Sequence, residues 1–255
     1  MQLSLENYAE RSVLGQSYQP STHGIALERR LDDGASAGWQ HEYRTLDLPA
    51  VAGVAAETNG HVHRTGPMWR KVSSERRVRI LPGLAVSSNA LRHLKDLDAE
   101  DIRLSGSIEQ RIAGDTARAW WLALHVDDRF GRSRVYPGVQ LQLVPTSAHE
   151  LRLGLPDSSW RWRWTQRVQS ELVVAPDGGK WRVRDPELAR RSDVRLRAWQ
   201  LAWSVRWQPA DALAVDVRIG RRFESDLRYQ LRDGSRANVE VPDSSFFGVG
   251  VSARF

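Results

Sequence analysis

The chain of 255 residues has no cysteine, only three lysines (Lys71, Lys95 and Lys180) against thirty-four arginines, and no long apolar run. Without cysteine, disulfide scaffolds, thiolate metal sites and cysteine nucleophiles are excluded. The longest weakly apolar stretch, 48–56, has nine residues including Pro49. That excludes transmembrane helices, which need about 20 consecutive apolar residues. It does not exclude a membrane barrel, whose strands cross with about 9–11 residues of which every second one is apolar. An apolar content of 41% and a mean hydropathy of −0.50 therefore leave a soluble protein and a transmembrane barrel both open. The formal charge of +6 does not point to nucleic acid, because arginine, aspartate and glutamate are spread along the whole chain rather than gathered on one face. The arginine excess is explained equally by GC-rich coding or by a need for permanently charged guanidinium forks that pair with carboxylates and phosphates. No signal peptide is read at the start, where Met1 leads at once into the alternating Gln2-Leu3-Ser4-Leu5-Glu6. An exported protein with this start is expected to be a mature form.

What the sequence does have is period two. Trp199, Leu201, Trp203, Val205 and Trp207 fall on one face of an extended segment, with Gln200, Ala202, Ser204, Arg206 and Gln208 on the other. After the turn Pro209-Ala210-Asp211, Leu213, Val215, Val217 and Ile219 alternate with Ala214, Asp216, Arg218 and Gly220. This is a hairpin with one apolar and one wet face. The same pattern predicts fourteen strands, at 2–12, 21–31, 37–47, 62–73, 76–88, 101–112, 117–127, 134–144, 149–156, 158–164, 167–175, 194–207, 212–223 and 245–255. A bend at Pro156-Asp157 in place of a turn would reduce them to twelve. The connections at 32–36, 74–75, 113–116, 145–148, 165–166 and 208–211 are short, and those at 48–61, 89–100, 176–193 and 224–244 are long. Short turns on one rim and long loops on the other are the habit of outer-membrane barrels. One short turn of helix fits within 90–100.

Alternation alone does not separate a membrane barrel from a soluble sandwich. Three features favour lipid: an even series too long for eight-stranded soluble barrels, a polar face of Arg, Glu, Gln and small residues, and aromatics at strand ends. The expected belt aromatics are Trp160, Trp162, Trp164, Trp203, Trp207, Phe247 and Phe255. The ending Phe247-x-Val249-x-Val251-x-Ala253-x-Phe255 resembles the C-terminal signal of bacterial outer-membrane barrels, which implies recognition by the barrel-insertion machinery. The stretches Leu81-Pro-Gly-Leu-Ala-Val-Ser-Ser-Asn89, Leu153-Gly-Leu-Pro-Asp-Ser-Ser159 and Val174-Ala-Pro-Asp-Gly-Gly-Lys-Trp181 resemble a family of proteobacterial barrels of unknown function. That resemblance implies an envelope address and carries no activity or functional residue with it; the strand pattern itself is read as an all-β, closed antiparallel barrel, expected in the outer membrane in contact with lipid and lipopolysaccharide.

With the apolar faces outward, the lumen is expected to receive Arg30, Glu42, Arg44, Arg79, Arg103, Glu109, Arg161, Arg163, Glu171, Arg206, Asp216 and Arg218, joined by Glu28, Arg77, Arg111, Arg152, Arg222 and Arg254. Arginine outnumbers carboxylate. Such a lumen is either a water-filled, cationic channel or binding barrel for small anionic solutes, or a closed structural or partner-binding barrel braced by Arg–carboxylate pairs. A third reading is a lipid hydrolase at the rim. His41, His61, His63, His93, His125 and His149 are available for it, with Ser87, Ser88, Ser158 and Ser159 at strand ends, and His125 with Asp127 is the tidiest pair. No catalytic residue is assigned. His61 and His63 share a strand face at metal-ligand spacing but lack a neighbouring acid, and fit a polar loop better. No metal or cofactor is expected. The loop cluster Arg184-Asp185-Pro186-Glu187 with Arg190-Arg191 is suited to bridging lipopolysaccharide phosphates or to plain solvation. A single domain spans 1–255, and both termini are expected on the periplasmic side.

Overall fold

Leu3 lies opposite Val251 and Leu5 opposite Val249 in one antiparallel ladder, which joins the two ends of the chain and closes the sheet on itself. The computed structural model describes residues 1–13, 16–31, 33–46, 60–93, 95, 97–184, 191–230 and 235–253. Within them lie β1 (Gln2–Tyr8), β2 (Arg11–Val13), β3 (Gln16–Tyr18), β4 (Ser21–Arg30), β5 (Ala35–Thr45), β6 (His61–Val72), β7 (Arg76–Ser87), α1 (Ser88–Leu91), β8 (Ile102–Gly114), β9 (Arg118–Asp127), β10 (Arg134–Thr146), β11 (His149–Leu155), β12 (Ser158–Arg163), β13 (Val168–Pro176), β14 (Gly179–Arg184), β15 (Arg191–Ala210), β16 (Leu213–Gln230), β17 (Arg236–Val241) and β18 (Ser244–Ala253).

Fourteen of these strands form a closed antiparallel barrel in the ring order β1-β4-β5-β6-β7-β8-β9-β10-β11-β12-β13-β15-β16-β18 and back to β1. Each of the fourteen expected strands has its counterpart. Pro156 and Asp157 form a true turn, because β11 and β12 pair antiparallel with Arg152 opposite Ser159 and His149 opposite Trp162. Twelve strands are thereby excluded. The short connections follow local chemistry. Asp33 and Gly34 both take positive φ, 57° and 70°, and a Cβ at Gly34 would lie 2.6 Å from the Val72 carbonyl oxygen, so this turn requires glycine.

The register puts one residue set outside and the other inside. Leu3, Ile25, Leu27, Ile80, Leu104, Ile108, Leu122, Leu124, Leu153, Leu201, Trp203, Val217, Ile219 and Phe247 form a continuous exposed apolar belt. Trp69, Trp120, Trp164 and Trp207 point outward close to the short turns. The walls differ in height. β15 and β16 have 20 and 18 residues, whereas β11 and β12 have 7 and 6.

Two segments read as long loops contain strands. β14 pairs antiparallel with β15 and touches β7 through the bridge Arg182–Val86. β7 and β15 stand on opposite sides of the ring, so β14 crosses the mouth. β17 pairs with the extension of β16 beyond the barrel. Trp181 and Val183 of β14, Val194 and Leu196 of β15, Leu227 and Tyr229 of β16, and Val239 and Val241 of β17 pack on Leu46, Val62 and Ala85 from the barrel wall. A buried apolar core of soluble-protein type thus lies across the long-loop mouth. Alternation hid it from the sequence because β14 and β17 are each only six residues long.

Candidate functional site

The side chains that line the barrel interior come from the inward positions of every strand. Arg30, Glu42, Arg44, Arg79, Arg103, Glu109, Arg161, Arg163, Glu171, Arg206, Asp216 and Arg218 all take this register. Their surroundings change along the axis. Near the short turns, Arg30 and Arg163 are exposed, as is Val72 at 51%. Near the long loops, Tyr8, Arg44, Arg103 and Arg222 are buried, Arg222 at 1%. Among the described residues, inward side chains are thus more exposed near the short turns and most buried under the cap. Arg44 and Arg103 are therefore buried residues at the base of the cap. Arg254, Phe255 and the cluster 185–190 lie outside the described residues.

Two aspartates fasten the cap. Asp177, between β13 and β14, accepts hydrogen bonds from Arg222 Nε at 2.8 Å and Arg44 Nη2 at 3.2 Å. Arg44 stands on β5 and Arg222 on β16, so this clip ties together walls four strands apart round the ring. The Arg222 guanidinium also lies 3.9 Å from the centre of the Tyr8 ring. Burial pushes the Asp177 carboxyl upward, but the guanidiniums of Arg222 and Arg44 outweigh it and hold the group well below the usual carboxylate range. Asp128, after β9, accepts from Arg64 Nη2 at 2.8 Å on both oxygens and from the Lys180 backbone N–H at 2.9 Å.

Lower in the barrel the ion pairs run along the wall. Arg77–Glu109 at 3.4 Å, Arg161–Glu171 at 2.9 Å and Arg206–Asp216 at 3.6 Å join neighbouring strands. Arg70–Glu28 and Arg218–Glu6, both at 2.6 Å, join strands one further apart. On the side of β5 to β11 these pairs leave a chamber of about 510 Å³. Its lining holds six arginines (Arg64, Arg70, Arg77, Arg79, Arg129 and Arg152) against four carboxylates (Glu42, Glu109, Asp127 and Asp157). Arg79 is exposed into this space, and its side chain takes part in no hydrogen bond or ion pair among the described residues. Arg77 lies 3.8 Å from the centre of the buried Trp121 ring, while Trp121 Nε1 donates to Gln142 Oε1 at 3.0 Å. A fixed array of guanidiniums with one unclaimed member is the chemistry that takes up a small anion.

The other candidates separate. His125 and Asp127 both point inward, yet Asp127 accepts from Arg129 Nε at 2.7 Å and from Tyr136 Oη at 2.8 Å, while His125 stacks on the Tyr136 ring. The aspartate orients an arginine and a tyrosine. His61 and His63 lie on β6 itself, which corrects their placement in a loop. They face outward beside Tyr43, whose hydroxyl stands 2.5 Å from His61 Nδ1, and His63 Nε2 stands 2.7 Å from Ser88 Oγ. Among the described residues, no group of three or more His, Cys, Asp or Glu is placed to hold a metal. Trp160, Trp162 and Trp164 run ring against ring down the outer face of β12, with centroids 4.9 and 6.0 Å apart. Trp203, Trp207 and Phe247 also point outward.

No protein-family model and no curated protein matches the chain, so the likeness to a proteobacterial family of unknown function stays a resemblance. Among solved structures, the chain is similar to the NanC porin with 7% identity and a TM-score of 0.42, over 99% of this chain and 100% of that one. It is similar to a Rh. blastica porin variant with 9% identity and a TM-score of 0.33, over 100% and 99%. OmpT, an outer membrane protein of Vibrio cholerae, gives 6% identity and a TM-score of 0.31, over 100% and 95%. At these scores the closed ring rests on its own hydrogen-bond register.

Proposed function

We propose that this chain is an outer-membrane barrel whose interior is a one-ended cationic chamber that binds small anionic solutes admitted from the short-turn, periplasmic side. The observation that carries this reading is the chamber lining, six arginines to four carboxylates with the Arg79 side chain unclaimed, beside the buried core that lies across the mouth. The exposed belt supports residence in lipid: a soluble protein rarely leaves a contiguous apolar surface of that extent in water. Replacing the half-exposed, outward Leu122 by arginine is expected to cost about 2–4 kcal/mol in a bilayer-embedded barrel. In a soluble one it is worth under about 0.5 kcal/mol. Urea unfolding of Leu122→Arg in lipid vesicles distinguishes the two.

Binding itself is tested by calorimetric titration of the detergent-solubilised full chain with a sugar acid and with the neutral parent sugar. The acid is expected to bind, with an affinity that falls on raising the salt, and the neutral sugar to give no heat. Equal behaviour of the two would overturn the proposal. The cap also favours a second reading, a closed structural barrel, in which neither compound binds.

A further inference from the structure

Above the belt, the outer face of the cap carries a second cationic site, separate from the chamber. Lys180 of β14, Arg195 of β15 and Arg228 of β16 stand directly opposite one another in consecutive ladders. Like charges so opposed destabilise a sheet. Two carboxylates serve the row: Asp193 takes Lys180 Nζ at 2.9 Å and Arg195 Nη2 at 3.0 Å, and Asp226 takes Arg228 Nε at 2.8 Å, with Arg197 at 4.0 Å. The loop after β9 adds Arg132, and the start of β10 adds Arg134. Both are exposed, and neither has an ion-pair partner among the described residues. These arginines surround a cleft of about 130 Å³ that contains one carboxylate, Asp226.

The surface below the cleft is apolar. Arg195 and Arg197 share their face of β15 with Trp199, Leu201 and Trp203, and Phe130 from the loop meets Trp199 edge-on at 6.0 Å. Val135 and Leu155, at the low stretch of wall beside this loop, are exposed at 67% and 65%. A cationic cleft directly above an outward apolar wall complements an amphiphile with phosphate at the top and acyl chains beneath. A free anion would have no use for the lower half. We infer that this cleft binds the phosphorylated headgroup of a glycolipid of the lipopolysaccharide type, with its chains lying along β10, β11 and β15. The inference rests on the lipid-facing reading of the belt.

The test is native mass spectrometry of the detergent-solubilised full chain, titrated with diphosphoryl lipid A or with phosphatidylcholine. Arg132→Gln with Arg134→Gln removes two guanidiniums that hold no partner and leaves every ladder intact. The wild type is expected to bind diphosphoryl lipid A at least tenfold more tightly than phosphatidylcholine, and the double variant to lose most of that preference. Inorganic pyrophosphate at the same concentration is expected to leave the lipid in place. Equal affinity for the two lipids, a double variant that binds like the wild type, or displacement by pyrophosphate would each overturn the inference. Insertion of the same preparations into vesicles is scored alongside, so that loss of lipid preference with insertion retained counts against this site alone.

Discussion

Asp177→Ala is expected to unseat the cap. The substitution removes the carboxylate that Arg222 and Arg44 share, with Arg44 keeping Glu42 at 3.7 Å, and removing one partner of a buried ion pair costs about 3–5 kcal/mol. That is comparable with truncating a buried tryptophan such as Trp181, about 3–5 kcal/mol. Hydrogen exchange at the amides of β14 is expected to accelerate by two to three orders of magnitude, while the amides of β8 and β9, remote from the clip, exchange as before. The pH dependence follows from the same pair. Because the folded carboxyl is held below its ordinary value, the clip contributes fully above about pH 3.9, the ordinary aspartate value. Its contribution is lost as the pH falls through the depressed one. The wild-type cap is therefore expected to show no titration between pH 5 and 8 and to loosen only in strong acid.

The second large effect lies inside the chamber. Arg79→Glu reverses the sign of the one guanidinium that no carboxylate claims and turns six arginines against four carboxylates into five against five. Loss of one charge-assisted contact to a bound anion costs about 1.5–3 kcal/mol, and like-charge repulsion adds to it. Affinity for a sugar acid is expected to fall at least a hundredfold with the barrel still folded. Arg163→Glu, at the exposed short-turn end, carries the same charge change outside the chamber lining and is expected to alter binding only a few-fold. Titration of the two variants beside the wild type checks both numbers.

The ring was legible because its strands repeat the same local rule, apolar side chains outward and polar ones inward. Leu213, Val215, Val217 and Ile219 against Ala214, Asp216, Arg218 and Gly220 need no partner to be read as a strand, and the fourteen segments follow in the same way. The cap was not legible. Lys180-Trp181-Arg182-Val183 also alternates, but too briefly to stand out beside Pro176-Asp177-Gly178. Its apolar side chains face Leu46, Val62 and Ala85, which are distant in sequence. Asp128 and Asp177 read as ordinary turn residues, since nothing local shows that Arg64, Arg44 and Arg222 converge on them. The ladders put the twelve candidate lining residues on the inward face, whereas their division into more exposed and more buried members depends on how the loops return over the mouth. One signal was available: Trp121 sits on the polar face of β9 with Ala123, His125 and Asp127, where a tryptophan is out of place unless something covers it. Arg77 covers it.

The sealed mouth is the centre of this account, and current through a planar lipid bilayer tests it most directly. The full wild-type chain is expected to insert and pass no steady current. The double substitution Asp177→Ala with Trp181→Ala is expected to produce discrete openings whose reversal potential in a salt gradient favours the anion. A wild-type chain that conducts steadily, at the level of the double variant, would contradict it.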